Sequence, residues 1–142
     1  MLNISARNQL TGTVTNVVKG AVNGDVWIDI GNNNTLFANI TNDAITDLAI
    51  KVGDKLTAIV KSSSIILTAT PDLKISARNR LKGKINTIKI GAVNSEISIQ
   101  LSSNQILTAI VTCETVDDLT LSEGSHCTAL IKASQIIVAK NI

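Results

Sequence analysis

The chain has 142 residues, with 13 Lys and Arg against 11 Asp and Glu, so its formal net charge is only +2. This small charge, with no run of like charges, argues against a strongly acidic partner and against a nucleic-acid or membrane-seeking patch. Trp27 and Phe37 are the only aromatic side chains. Ile, Val, Leu and Ala must therefore build the core, and that composition favours strands.

The sequence repeats itself at a displacement of 71 residues. Residues 4–67 align without a gap with residues 75–138, and 25 of these 64 positions are identical. A repeat of this kind defines the units of the fold. We predict two modules at 1–67 and 75–142, joined by a linker at 68–74. Because modules of this size are marginal alone, the pair should pack together and also bury surface against other subunits.

The first predicted strand is long, from about residue 4 to residue 18. Its apolar positions include Val14 and Val17, and their spacing of three breaks the alternation, which indicates a bulge. Gly12 predicts a tight bend in this strand. The corresponding residues of the second module, Ile85, Ile88 and Gly83, repeat the same pattern.

Two further strands and a short helix follow. Val26, Ile28 and Ile30 alternate with polar residues, as a half-buried strand does. A turn at 31–34 leads to a third strand around residues 36–40, and the apolar period then changes to that of a short helix near residues 44–48.

Two final strands, near 56–61 and 65–67, complete the module after Gly53, and the second module has counterparts of both. Five strands with one short helix between the third and fourth predict a small OB-like Greek-key barrel. The fold class is thus all-β, with two tandem barrels.

Neither the cysteines nor the histidine is shared between the modules. Cys113 and Cys127 occur only in the second, where a duplicated disulfide framework is not expected, so we predict reduced thiols in a cytoplasmic protein. His126 is expected to be a surface residue, because no transition-metal cation site is duplicated with the module. His126 and Cys127 point to opposite faces of a strand and cannot form a nucleophile–base pair, so we predict no enzyme activity.

The polar residues that the modules share are mostly hydrogen-bond donors. They are Ser5/Ser76, Arg7/Arg78, Asn8/Asn79, Thr41/Thr112, Lys61/Lys132 and Ser63/Ser134. Donors without acceptors suit a fully ionised tetrahedral oxyanion such as molybdate, tungstate or sulfate. The alternative is an ordinary ion pair at the barrel rim between Arg7 or Lys61 and Asp25, whose counterpart Glu96 keeps the charge.

The segment Gly-Ala-Val-Asn also occurs in both modules, between the first two strands. Glycine and asparagine tolerate positive φ, so successive backbone amides could line a small anion-binding concavity. A plain hairpin turn explains the same residues equally well. The segment comprises Gly20, Ala21, Val22 and Asn23 in one module and Gly91, Ala92, Val93 and Asn94 in the other.

Three motifs together resemble one known family. Residues 4–12 (ISARNQLTG), residues 20–23 (GAVN) and residues 58–62 (AIVKS) are similar to molbindin, the Mop family of small molybdate-binding proteins. The duplicated arrangement resembles the tandem, di-Mop form, and the resemblance covers nearly all of both modules. It implies barrels of the Mop/TOBE type that bind molybdate or tungstate at interfaces between domains, with no organic cofactor, and tandem chains that assemble as trimers.

The resemblance also implies which residues contact the oxyanion. These are Ser5, Ala6, Arg7, Thr41, Lys61 and Ser62 in the first module and Ser76, Ala77, Arg78, Thr112, Lys132 and Ala133 in the second. The two Gly-Ala-Val-Asn segments correspond to a second kind of site around a symmetry axis. Ala133 departs from the family pattern, because its counterpart Ser62 has a hydroxyl, so we expect unequal sites.

The resulting hypothesis is cytoplasmic, non-catalytic storage of molybdate or tungstate in a homo-oligomer. One alternative is a nucleic-acid-binding OB protein, which the scarcity of aromatic residues disfavours. Another is a molybdate sensor subunit that acts through a protein partner, and it would use the same sites.

Overall fold

The computed structural model describes residues 2–140 of the chain. The strands of the first module are β1 Asn8–Lys19, β2 Asn23–Gly31, β3 Asn34–Thr41, β4 Lys55–Val60 and β5 Ile66–Thr68, with helix α1 at Asn42–Asp47. Those of the second are β6 Asn79–Ile90, β7 Asn94–Leu101, β8 Ile106–Thr112, β9 His126–Ile131 and β10 Ile137–Ala139, with helix α2 at Cys113–Asp118. A single 3-10 turn follows β4 at Ser62–Ser64 and follows β9 at Ala133–Gln135.

The two sheets exchange their last strands. One sheet has the order β10-β4-β1-β2-β3 and the other has the order β5-β9-β6-β7-β8. Ile137 of β10 pairs with Ile59 of β4, and Ile66 of β5 pairs with Leu130 of β9. The all-β prediction of two five-stranded units is confirmed, whereas the expectation that each module completes its own sheet differs from the structure. The division at 1–67, 68–74 and 75–142 remains a prediction about the units of sequence.

Local details of the first strand agree with the sequence pattern. The register of β1 against β2 shifts between Val14 and Asn16, and that of β6 against β7 shifts between Ile85 and Thr87, so the bulge is present in both modules. A Cβ added to Gly12 would lie 2.5 Å from the Asp29 carbonyl oxygen. Glycine is therefore required there because β2 passes close by, rather than because the backbone is left-handed.

The hairpin between β2 and β3 depends on left-handed residues. Asn32 and Asn33 have φ of 51° and 62°, as a type I′ turn requires, and this turn matches the right-handed twist of the flanking strands. Ala49 and Thr120, with φ of 48° and 52°, follow the two helices, whereas Gly53 and Gly124 have positive φ in the turns before β4 and β9. The predicted turn at 31–34 is thereby confirmed.

One apolar cluster runs through both modules. Val26, Ile28, Leu36 and Ala38 are fully buried in the first sheet, and their counterparts Ile97, Ile99, Leu107 and Ala109 are fully buried in the second. Because β5 and β10 cross between the sheets, residues of each module also complete the core of the other: Leu67, which is buried, belongs to β5. The two modules therefore fold as one structural unit.

A pseudo-twofold axis relates the modules. Asn8 binds the backbone of Thr108 through both its amide N and O, at 2.7 Å each, and the equivalent Asn79 binds the backbone of Phe37 at 2.8 Å. The side chains of Ser64 and Gln135, themselves equivalent positions, lie 3.4 Å apart. Equivalent residues can meet only near the axis, so the two 3-10 turns lie there, where β5 and β10 cross over.

Candidate functional site

The Val-Lys-Ser motif stands where the chain changes sheets. Lys61 follows the last residue of β4, and the 3-10 turn that it precedes contacts β8 of the other module before β5 joins the other sheet. Lys132 occupies the same place between β9 and the turn that contacts β3. The strand exchange therefore carries each lysine motif to the boundary between the modules.

The Ser-Ala-Arg motif reaches the same boundary from the other side. Asn8 is paired with Val60 in the β1–β4 ladder, so Arg7 and Lys61 extend from adjacent strand ends. Ser5 is exposed and Ala6 is half-buried, as are their counterparts Ser76 and Ala77. The structure thus brings together the Ser-Ala-Arg and Val-Lys-Ser motifs of each module.

Both arginines form ion pairs, and both pairs cross between modules. Arg7 Nη2 donates to Glu96 of the second module, and Arg78 Nη1 lies 3.0 Å from Asp25 Oδ2 of the first. The sequence predicted a rim pair with Asp25 or Glu96 as the alternative to anion binding, and such pairs occur, but the partners are exchanged. Lys61 and Lys132 take part in none of the ion pairs found among residues 2–140.

Two aromatic rings surround Arg78. Its guanidinium carbon lies 5.5 Å from the centre of the Trp27 ring and 4.8 Å from that of Phe37. The two rings meet edge to face with centroids 5.8 Å apart. Such contacts favour the cation electrostatically. The equivalent positions around Arg7 are Ser98 and Thr108, so the two arginine sites are unequal for a reason beyond Ser62 and Ala133.

The carboxylates that hold the arginines are stabilised in their charged form. A hydrogen bond from Asn39 lowers the pKa of Asp25, and the hydrogen bond and charge of Arg78 lower it further. The Arg7 hydrogen bond lowers the pKa of Glu96. Both carboxylates are therefore ionised at neutral pH and occupy part of each guanidinium.

We expect acid to weaken the contact between the modules. Because Asp25 and Glu96 have lower pKa values in the folded chain than the ordinary 3.8 and 4.5, their ion pairs stabilise the fold fully above those values. This stabilisation is lost as the pH falls through the lowered pKa values. Urea unfolding from pH 7 down to about pH 3 should show the loss. The variant Asp25→Asn with Glu96→Gln should show a shallower acid dependence, and an unchanged dependence would contradict this origin.

Ser62 and its counterpart Ala133 make the two lysine motifs unequal, as expected from the sequence. Ser62 is half-buried at the start of its 3-10 turn, while Ala133 is buried at the start of the other. The hydroxyl that Ser62 presents at the boundary has no counterpart beside Lys132. The boundary that holds Arg7 and Lys61 therefore has one more hydrogen-bond donor, the Ser62 hydroxyl. The boundary that holds Arg78 and Lys132 has the two aromatic rings instead.

The Gly-Ala-Val-Asn turns leave two amides free. Gly20 N donates to Asn23 O at 2.9 Å, and a Cβ on Gly20 would lie 2.6 Å from that oxygen. Gly20 and Asn23 tolerate positive φ but do not adopt it, and the glycine is needed for space. Within the described chain, the amides of Ala21 and Val22 donate to no protein acceptor. The second turn, Gly91–Asn94, repeats the Gly91 N to Asn94 O bond at 3.0 Å.

Thr41 and Thr112 lie next to these turns. Thr41 pairs with Asn23 across β2 and β3, and Thr112 pairs with Asn94. Each caps a helix: Thr41 Oγ1 accepts from Ala44 N at 3.1 Å, and Thr112 does the same for the second helix. Their hydroxyl oxygens are thus engaged as acceptors, which leaves the hydroxyl hydrogen of Thr41 available to an anion at the turn.

The remaining reactive side chains belong to the scaffold. Both cysteines are free thiols, and burial raises the pKa of Cys127. Cys113 lies 3.1 Å from Ser95, where the first module has Asn42 and Gly24. Residues 2–140 hold no group of three His, Cys, Asp or Glu arranged to bind a metal cation. None of the helices there has the length and apolar character to cross a membrane.

Sequence reasoning missed the reciprocal partners of the motifs. Trp27 and Phe37 contact Arg78, and Asn39 hydrogen-bonds its partner Asp25, because β2 and β3 of one module face the other. A repeat cannot reveal this arrangement. One signal was present: Asn8 and Asn79 are identical in both modules at strand positions that are otherwise apolar. A buried asparagine of this kind marks a backbone partner outside its own strand pair.

Comparison with known proteins agrees with the fold. The TOBE domain family matches residues 4–67 and 75–138. The chain is 38% identical over 135 residues to the molybdenum transport protein ModE of Azotobacter vinelandii, covering 95% of this chain and 50% of the relative. It is 39% identical over 136 residues to the molybdenum-pterin-binding protein MopA of Rhodobacter capsulatus, covering 95% and 51%. The chain thus spans about half the length of these relatives.

A solved structure matches along the whole chain. It is that of the cytoplasmic molybdate-binding protein ModG with molybdate bound, with a TM-score of 0.95 and 37% sequence identity, covering 99% of this chain and 100% of that one. The resemblance to Mop proteins indicated by the three motifs is confirmed by these relatives. With two consecutive matches that leave only the linker and the chain ends outside, the protein belongs to the TOBE domain family as a tandem pair of such domains.

Proposed function

We propose that this chain binds molybdate or tungstate reversibly in the cytoplasm and stores it without catalysis. The observation that carries the proposal is that an arginine lies beside a lysine at each module boundary, Arg7 with Lys61 and Arg78 with Lys132, and that neither lysine forms an ion pair within residues 2–140. Support also comes from ModG, which is described as cytoplasmic and molybdate-binding and shares 37% identity along the whole chain.

Charge and donor geometry suit a small dianion at these boundaries. One carboxylate neutralises one of the two cations, so a unit of positive charge remains at each boundary. A guanidinium has five N–H donors, and the carboxylate uses only part of them. Ser5 and Ser76, beside the arginines, add exposed hydroxyl groups. A fully deprotonated oxyanion can accept from all these donors, whereas a protonated phosphate also needs an acceptor.

The turns at Gly20–Asn23 and Gly91–Asn94 form the second proposed site. Their free amides, at Ala21 and Val22 in the first turn, point to anion contact through the backbone. The exposed Val22 and Val93 make these turns apolar on the outside. We propose that they meet the turns of other subunits in a homo-oligomer, most simply a trimer.

Further exposed apolar residues support an oligomer. Ile4 and Ile75 are equivalent and both exposed, as are Ile66 and Ile137 on the two exchanged strands. We propose that another subunit covers these residues, since contiguous exposed apolar patches mark interaction surfaces. An oligomer would also complete binding sites that the chain alone leaves open on one side.

The nucleic-acid alternative is disfavoured by the aromatic side chains. Trp27 and Phe37 lie against the Arg78 guanidinium, so they do not form an open platform for stacking bases. The sensor alternative uses the same sites as storage and differs only in its protein partner.

Calorimetric titration tests the proposal. We expect heat with molybdate and with tungstate at micromolar protein, and much weaker binding of phosphate, with sulfate as the fully ionised comparison anion. Light scattering in the same buffer should show one oligomer with and without molybdate. A protein that gives no heat with molybdate, or that stays monomeric in saturating molybdate, would overturn the assignment.

A further inference from the structure

Two hydrogen bonds and an ion pair join the first turn to Arg78 in one continuous chain. Asn23 Nδ2 donates to Asn39 Oδ1 at 3.0 Å, and Asn39 Nδ2 donates to Asp25 Oδ1 at 2.8 Å. Asp25 Oδ2 then forms an ion pair with Arg78 Nη1 at 3.0 Å. The chain thus begins at the turn of the first module and ends at the arginine of the second.

The register of β2 and β3 explains how three polar side chains align. Asn23 and Asp25 lie two residues apart on one face of β2, and Asn39 pairs with Asp25 across the ladder. Side chains on one face of neighbouring strands are within reach of each other, including diagonal neighbours. Asn39 alone contacts both, since its carbonyl accepts from one and its amide donates to the other.

The second module has both ends of this chain but lacks the middle. Asn94 and Glu96 occupy the same positions on β7, and Glu96 holds Arg7. The residue equivalent to Asn39 is Ile110, which pairs with Glu96 across the ladder and has no side-chain hydrogen-bonding group. Arg7 is therefore paired without any link to its nearest turn.

We infer that the Gly20–Asn23 turn and Arg78 respond to anions as one coupled unit through Asn39, while the Gly91–Asn94 turn and Arg7 respond independently. The inference rests on the proposed function, because it assumes that both the turns and the arginines bind the oxyanion. Asn39 is a positioning residue in this scheme: it acts on Arg78 through Asp25 and does not contact the anion.

The direction of the coupling follows from the polarity of the chain. An anion that accepts from the Asn23 amide weakens the donation of Asn23 to Asn39. A carboxamide that accepts a weaker bond is itself a weaker donor, so Asp25 is less neutralised by Asn39. Asp25 then holds Arg78 more tightly, and less of the guanidinium is available. Occupation of the turn therefore weakens anion binding at Arg78.

Trp27 provides a site-specific reporter, because it is the only tryptophan and lies against Arg78. We expect Asn23→Ala, which removes the first donor, to raise the molybdate midpoint of Trp27 fluorescence about fivefold. In an Asn39→Ile background the same substitution should have no effect. Asn94→Ala, the equivalent change in the second module, is the matched control. It should leave the molybdate midpoint of Trp27 fluorescence unchanged, because Trp27 lies against Arg78 and not against Arg7.

The outcomes separate the inference from the function. An equal shift from Asn23→Ala and Asn94→Ala, or a shift that persists with Asn39→Ile, would overturn the coupling. If calorimetry shows no molybdate binding, the proposed function fails, and acid titration of Trp27 fluorescence in ligand-free protein tests the link alone. In that titration, Asn23→Ala should raise the midpoint pH at which Asp25 releases Arg78. It should do so only in protein that keeps Asn39. No change would overturn the link even if molybdate binds.

Discussion

Molybdate affinity is expected to fall roughly 10- to 150-fold at the module boundaries when Arg7 and Arg78 are both replaced by alanine. Each replacement removes charge-assisted hydrogen bonds worth about 1.5–3 kcal/mol, and a tenfold change corresponds to about 1.4 kcal/mol. The carboxylate partners remain, so Asp25 and Glu96 are left facing the anion with only a lysine to offset them. The loss should therefore lie toward the upper end.

The chain contains a matched control for this experiment. Arg80 is the third arginine, and it is exposed on β6 only two residues from Arg78. Arg80→Ala removes one positive charge, as Arg7→Ala or Arg78→Ala alone does, without touching either boundary motif, so its calorimetric titration should resemble that of the parent protein. Equal losses in Arg80→Ala and in each of these single variants would show that net charge, rather than the boundary sites, determines binding.

The second large effect concerns stability. We expect Asn8→Ala to lower the free energy of unfolding by about 2–5 kcal/mol, because two hydrogen bonds are lost and two backbone groups are left without partners. These groups are the N–H and C=O of Thr108, each held at 2.7 Å by the buried Asn8 side chain. Asn79→Ala should cost a similar amount, since Asn79 holds Phe37 in the same way.

Urea unfolding monitored by circular dichroism measures this loss. Asn3→Ala, at an exposed position five residues before Asn8, is the control and should change stability little. Asn8→Asp tests the donor separately, because aspartate keeps the shape but cannot donate to the Thr108 carbonyl. If Asn8→Ala unfolds within about 0.5 kcal/mol of the parent, the asparagine does not hold the modules together.

Much of the fold can be read from the sequence because two copies of each pattern can be compared. Alternation at Val26, Ile28 and Ile30 indicates β2, the spacing of Val14 and Val17 indicates the bulge, and both features are present. Short-range patterns of this kind depend on neighbouring residues, so they can be read from one chain. The candidate anion donors could be selected in the same way, as polar residues that the two modules share.

The exchange of β5 and β10 could not be predicted, because each strand fits either sheet. Ile66 and Ile137 are identical, as are the residues that precede them, and the apolar pattern is the same in both modules. The 3-10 turns that precede the two strands meet near the pseudo-twofold axis, and from there each strand enters the sheet of the other module. The ion-pair partners of Arg7 and Arg78 depend on that long-range geometry, so they could not be predicted from the sequence either.

Asn39 shows a different limit. Its counterpart is Ile110, so a search for residues common to both modules discards it. Yet Asn39 hydrogen-bonds Asp25 at 2.8 Å beside one of the sites. Comparing repeats finds what the modules share and hides what makes one of them distinct.

The exchanged strands also change how assembly depends on concentration. A single module of this kind would need a second chain to supply its fifth strand, and that pairing would weaken on dilution. The segment between β5 and β6 makes the donor strands part of the same chain, at an effective concentration on the order of millimolar or more. The boundary at which Arg7 and Arg78 meet their partners therefore forms in every folded molecule. Its formation does not depend on how many copies of the protein a cell holds.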